Sequence, residues 1–212
     1  MQLLVVVTML YSSLPFLVYW FIRKQLNQEV QPILPFLVLC FIGGLYEFIF
    51  TALLRIDTVP WFYTYDFLSI FTIQYFFYHV LEKKVKKMVL VTTALYIALF
   101  FYAVTHHEMK NFMNYLAYLN SIITFLIIFY SFLWFKKVFM EKSLISLSQS
   151  PTFYFITGFL FYYSGVVVLF LLANSIYLTN NSNFQYYWLI NLFFNIFHKT
   201  FLIIGLWKAR RN

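Results

Sequence analysis

Seven long apolar stretches constrain the fold of this chain more than any other feature of its sequence. A hydrocarbon core about 30 Å thick takes roughly 20 helical residues to cross, and each stretch approaches that length. The connections between them are short, so neighbouring helices are expected to pack antiparallel. The sequence therefore predicts an all-α fold, a polytopic membrane bundle of seven helices that forms one domain over residues 1–212. The predicted spans are 3–22, 32–54, 61–81, 88–105, 114–135, 151–173 and 186–207.

Positive charges alternate between the two predicted faces of the membrane. Twelve of the 15 Lys and Arg residues follow the odd-numbered spans, whereas the intervening loops carry Arg55 and Lys110. Because cytoplasmic loops are enriched in Lys and Arg, this pattern predicts an amino terminus outside and a carboxyl terminus in the cytoplasm. The four basic clusters are Arg23 and Lys24; Lys83, Lys84, Lys86 and Lys87; Lys136, Lys137 and Lys142; and Lys208, Arg210 and Arg211.

The composition favours a membrane domain over a soluble one. The chain is 63% hydrophobic and 10% charged, and the seven spans with their loops use nearly every residue. A net charge of +8 would suggest nucleic acid as the partner of a soluble protein. Here the cations are explained as topology determinants beside anionic headgroups, so we expect the lipid bilayer as a partner and no nucleic acid.

Four ionisable residues fall within the predicted spans, where a buried charge is costly enough to suggest a functional site. They are Glu47, Asp66, His198 and Lys199. At about 1.5 Å of rise per residue, Glu47 and Asp66 both lie about 8 to 11 Å from the outer ends of their helices. On the last span, Asn191, His198 and the intervening Asn195 share one helical face, with Lys199 beside it.

These polar residues predict an outward-opening pocket for a small ligand. In this hypothesis Glu47 and Asp66 set its charge, and Asn120, Asn191 and Asn195 contact the ligand. His198 and Lys199 then relay pocket occupancy to the last helix, or form an intramembrane ion pair. Candidate wall residues are Tyr46, Tyr63, Tyr65 and Tyr118.

A purely structural interpretation of the same residues remains open. Lys199 and a carboxylate could neutralise each other, with either Glu47 or Asp66 as the partner. The amides could tie helices together through hydrogen bonds worth about 0.6 to 2 kcal/mol each. Gly158 and Gly165 on the sixth span are seven residues apart, which predicts close packing of that helix against a neighbour.

Motifs of catalysis are not found in the sequence. With five glycines and one cysteine, it contains no phosphate-binding loop, nucleophile elbow or dinucleotide fingerprint. His106, His107 and Glu108 are adjacent in one loop but lack further ligands nearby, so no metal site is predicted. We therefore expect a protein that is not an enzyme and has no cofactor.

Two families offer partial resemblances. A lysine midway along the last of seven helices resembles the retinal-binding lysine of microbial rhodopsins. However, Asn195 stands one turn before Lys199 where that family usually has aspartate. The third helix lacks the paired acidic pattern, and the sixth has Tyr162 and Tyr163 but no tryptophan near the expected ring site. These differences disfavour a rhodopsin.

The segments 45–47, 61–66 and 191–207, with the ending Gly205 to Ala209, resemble the seven-helix modules found alone or ahead of bacterial sensor kinases. The resemblance implies a sensory module in the bacterial cytoplasmic membrane that signals through another membrane or cytoplasmic protein. The alternatives are an accessory or scaffold subunit of a larger membrane complex, and a carrier for a small solute or ion.

Overall fold

The computed structural model describes residues 2–56, 59–106, 109–140, 147–179 and 184–210. These segments are helical apart from short turns, which confirms the predicted all-α class. Each predicted span overlaps one helix, and most of the helices extend a few residues further. The helices are α1 (Gln2–Ile22), α2 (Leu34–Tyr46), α3 (Val59–Val80), α4 (Lys83–His106), α5 (Met109–Met140), α6 (Pro151–Thr179) and α7 (Phe184–Lys208).

Within the described residues, five helical segments are long and apolar enough to cross a membrane. This is compatible with an integral membrane protein. The third and sixth helices are not among them; in the third, Asp66, Gln74 and His79 lower the mean hydropathy. The five segments are Val6–Gln25, Gln28–Thr51, Lys83–His106, Tyr118–Met140 and Leu189–Lys208.

Each helix packs against the next one in the chain. The ring centroids of Phe16 on α1 and Phe41 on α2 are 4.9 Å apart. The hydroxyls of Thr92 on α4 and Tyr130 on α5 are 2.7 Å apart. The first helix also packs beside the last, where the hydroxyls of Tyr11 and Thr200 are 2.8 Å apart and can share a hydrogen bond. The seven helices therefore form a closed bundle.

Helix α2 is extended at both ends by non-α segments. A 3-10 helix, Gln28–Ile33, precedes it, and the Asn27 side chain caps this segment by accepting a hydrogen bond from the Glu29 backbone N–H at 3.1 Å. A π-helix, Glu47–Leu53, follows it. The π-helix ends before Arg55, whose φ of 54° lies in the left-handed region and stops the helical path.

Small residues allow close approach at two helix contacts. A Cβ at Gly44 would lie 2.7 Å from the Met9 carbonyl oxygen of α1. On α6, a Cβ at Gly158 would lie 3.0 Å from the Phe201 Cβ, and a Cβ at Gly165 would overlap the Phe194 ring. The two α6 glycines therefore face α7, the close packing predicted from their spacing.

The core contains both aliphatic and aromatic side chains and draws on all helices from α2 to α7. Phe36 and Phe159 pack edge to face with centroids 5.1 Å apart, and Phe76 lies 5.5 Å from Phe159. Many large apolar side chains point outward instead, including Phe21 and Phe132. Such an outer surface suits contact with lipid chains.

The carboxyl end of α7 is bonded to the turn between α1 and α2. The Asn27 N–H donates to the Ala209 carbonyl at 3.0 Å, and Leu26 forms a β-bridge with Arg210. The Arg210 Nε donates to the Gln25 side-chain carbonyl at 2.8 Å. We call this set of contacts the terminal bracket. Of the predicted basic residues, Lys142 and Arg211 lie outside the described part of the chain.

Candidate functional site

A cavity of about 90 Å³ lies inside the bundle between α2, α3, α5, α6 and α7. One water needs about 10 to 15 Å³ by this measure, so the cavity has room for several waters or one small molecule. Five of the seven predicted site residues line it. The lining consists of Phe36, Tyr65, Asp66, Ser69, Ile70, Asn120, Ile123, Thr124, Tyr162, Tyr163, Asn195, His198 and Lys199.

The acidic side of the cavity joins α3 to α5. The Asn120 Nδ2 donates to the Asp66 Oδ2 at 3.1 Å. Since the amide nitrogen makes this bond, the Asn120 Oδ1 is left as a buried acceptor, and it has no hydrogen-bond partner among the described residues. Ser69, one turn after Asp66, donates to the Asp66 backbone carbonyl at 2.8 Å.

The basic side of the cavity is formed by Lys199, whose side chain is 3% exposed. Its Nζ donates to the Cys40 Sγ of α2 at 3.0 Å and lies 5.0 Å from the centre of the Phe36 ring. Glu47, Asp66 and Lys199 all belong to the described residues, and Lys199 forms an ion pair with neither carboxylate. Glu47 nevertheless attracts Lys199 electrostatically from a longer distance, and Asp66 lines the same cavity as Lys199.

Two further residues of α7 present polar atoms without partners in the described part of the chain: the Asn195 Oδ1 and the His198 Nε2. The His198 ring is held by aromatic neighbours, with Phe159 at 5.0 Å and Tyr162 stacked at 5.3 Å. An unsatisfied buried polar group costs about 1 to 3 kcal/mol. Both residues line the cavity, so a bound molecule that hydrogen-bonds to these atoms would remove that cost.

Two predicted site residues lie outside the cavity lining. Asn191 accepts a hydrogen bond from the Tyr162 hydroxyl at 3.0 Å and so ties α6 to α7. Glu47 begins the π-helix and is partly buried, but it forms no hydrogen bond or ion pair with another described side chain. Glu47 therefore lies outside the lining of the cavity that contains Asp66, but close enough for the charges of Lys199 and Asp66 to act on it.

Of the predicted wall residues, Tyr65 lines the cavity and the others do not. Tyr46 stacks on Trp61 at 4.2 Å, and Tyr118 is 68% exposed on the outer surface.

Sequence reasoning missed several cavity residues. Ser69 follows Asp66 by three positions and Thr124 follows Asn120 by four, so helical periodicity places each on the same face as a predicted residue. The role of Cys40 as the acceptor for Lys199 had no such signal, because the two are 159 residues apart.

No group of three His, Cys, Asp or Glu side chains within the described segments could hold a metal ion. His107 and Glu108, considered above as ligands, lie outside those segments.

The fold and the cavity define a class of protein: a helical bundle with membrane-length apolar helices that encloses a polar cavity containing both an acid and a base. No protein family, curated protein or solved structure matches the chain.

Proposed function

We propose that this chain is a seven-span membrane protein that binds a small ligand in the enclosed polar cavity. The amino terminus lies outside and the carboxyl terminus in the cytoplasm of a bacterium. Binding is relayed through α7 to a partner protein, and no covalent chemistry takes place on the ligand. The protein is thus a sensory module.

The observation that carries this proposal is the set of unsatisfied polar atoms around the cavity. The Asn120 Oδ1, Asn195 Oδ1 and His198 Nε2 come from two helices and have no hydrogen-bond partner among the described residues. Asn191 ties two helices together through Tyr162, and the Asn120 nitrogen does so through Asp66, but the three atoms named above take no part in such bonds. Unpartnered polar atoms on residues that line a cavity favour a molecule there that completes their hydrogen bonds.

The position of α7 favours a relay. Asn195, His198 and Lys199 line the cavity, and the same helix ends in the terminal bracket with the α1–α2 turn. A ligand that bonds to these side chains therefore acts on a helix whose far end lies among predicted cytoplasmic residues. A partner protein could detect movement there.

Native mass spectrometry of the protein purified in mild detergent tests the proposal. We expect a retained small molecule in the wild type. The variant Ser69→Phe places a large ring in the cavity, because Ser69 lines it and is 8% exposed, and should lose that molecule. Leu68→Phe is the matched control, since Leu68 is the preceding residue and is 39% exposed on the outer surface.

Asp66→Asn provides a second test that hardly changes side-chain volume. Equal retention in the wild type and both cavity variants would place the molecule elsewhere and contradict the proposal. A wild-type protein that carries no small molecule but a stoichiometric protein partner would favour the accessory-subunit alternative.

A further inference from the structure

We infer that the cavity ligand is a small zwitterion, of the class of free amino acids, with one ammonium and one carboxylate group. The inference rests on the proposed function, because it names the ligand of the same cavity. It starts from the two opposite charges that line this space without pairing.

Asp66 and Lys199 each keep unused hydrogen-bonding capacity. The Asp66 carboxylate accepts one bond from Asn120, which leaves its other oxygen without a hydrogen bond among the described residues. The Lys199 ammonium has three donors and uses one of them on the Cys40 sulfur. A molecule between the two can therefore bond to both.

Charge balance selects the ligand class. A ligand with one positive charge would pair with Asp66 but leave the Lys199 ammonium without a direct anionic partner, since Glu47 attracts it only from beyond ion-pair distance. A ligand with one negative charge would leave Asp66 uncompensated in the same way. Because an unpaired buried charge is strongly unfavourable, a molecule that carries both charges fits best.

The neutral groups of the lining agree with this choice. Two amide oxygens, the Asn120 Oδ1 and the Asn195 Oδ1, are acceptors that have no hydrogen-bond partner among the described residues. An ammonium group has three N–H donors and so requires acceptors of this kind. Tyr65, Tyr162 and Tyr163 contribute aromatic walls, which favour a cationic group over an anionic one. The carboxylate of the ligand is thus assigned to the Lys199 side.

The test compares matched probes that differ by one charge. Alanine carries both charges, alaninamide lacks the carboxylate, and N-acetylalanine lacks the ammonium; the same three forms of other small amino acids complete the panel. Binding is measured by isothermal titration calorimetry on the full chain in mild detergent. We expect at least one free amino acid to bind and both of its singly charged derivatives to bind far more weakly.

Two variants assign the groups. Asp66→Asn and Lys199→Met should each weaken binding of the free amino acid about 30-fold or more, since truncating one partner of a buried charge pair commonly costs this much. Asp66→Asn should also remove the preference for the free amino acid over its N-acetyl form. Lys199→Met should remove the preference over the amide form. Leu68→Phe controls for general damage and should bind as the wild type does.

The outcomes separate this inference from the proposed function. If a singly charged or neutral compound binds as well as every free amino acid, the inference is wrong and ligand binding stands. If no probe binds, the molecule retained in native mass spectrometry is identified: a zwitterion supports the inference, and any other molecule contradicts it. If no probe binds and no molecule is retained, both proposals are wrong.

Discussion

Lys199 places a cation in the interior of the bundle with a thiol as its hydrogen-bond acceptor. Removing a charged group from water costs several kcal/mol, and a single sulfur acceptor offsets little of that cost. A chain selected for stability alone would gain from an apolar residue at this position. The proposed ligand would give this ammonium a direct anionic partner.

Replacing Lys199 with methionine tests this explanation. We expect the ligand-free variant to unfold at the same temperature as the wild type or at a higher one, because methionine avoids the cost of burying an ammonium group. Thermal unfolding in detergent measures the effect. Lys208→Met, at an exposed position near the end of the same helix, is the control and should change nothing. A Lys199→Met protein that is much less stable would show that the ammonium is structural.

The hydrogen bond from Tyr162 to Asn191 is the clearest polar link between α6 and α7. Tyr162→Phe should lower stability by about 0.6 to 1.7 kcal/mol, the range measured for such bonds in membrane bundles. The neighbouring Tyr163→Phe is the control, because its hydroxyl forms no hydrogen bond within the described segments. Chemical unfolding of both variants in detergent gives the comparison. Equal losses in the two would assign the effect to the ring environment and not to the bond.

At this scale, the sequence predicts which residues are unusual but not what they contact. Asp66, Asn120 and Lys199 could be singled out because polar groups are costly in hydrocarbon. The rotation of each helix decides whether they meet, and packing sets that rotation. Glu47 illustrates the limit, since the cavity that contains Asp66 does not include it.

At the scale of the helices, the sequence predicts their number and positions but not their irregular segments or the contacts between distant ones. Their number and approximate positions follow from apolar runs, and the structure places a helix over each predicted span. The π-helix at Glu47–Leu53 follows no apolar or polar periodicity, because it depends on how the end of α2 packs against its neighbours. The terminal bracket could not be predicted from the sequence either, since it joins residues 25–27 to residues 209 and 210.

Gly44 tests the close contact of α1 with α2. Gly44→Ala should lower the unfolding temperature, because the added methyl group would lie 2.6 Å from the Ser13 Oγ and 2.7 Å from a backbone oxygen. Overpacking of this kind costs about 1 to 3 kcal/mol. Leu45→Ala, at the adjacent outward-facing position, is the control and should be milder. A tolerated Gly44→Ala would mean that the two helices can separate without cost.

For the molecule as a whole, the orientation in the membrane is a prediction that fusion reporters can check. Green fluorescent protein fused after residues 28, 87, 150 and 210 should fluoresce, because those positions follow the basic clusters assigned to the cytoplasm. Alkaline phosphatase fused after residues 55 and 106 should be active outside. The reverse pattern, or an even number of spans, would contradict the predicted topology.

The terminal bracket limits how α7 can move. Its last turn is bonded to the α1–α2 turn by the Asn27 to Ala209 hydrogen bond and the bridge between Leu26 and Arg210. A shift of α7 along its own axis, or a rotation about that axis, would break both contacts, whereas a joint tilt with α1 and α2 would keep them. A movement of α7 that preserves the bracket therefore moves the ends of three helices together, as one unit.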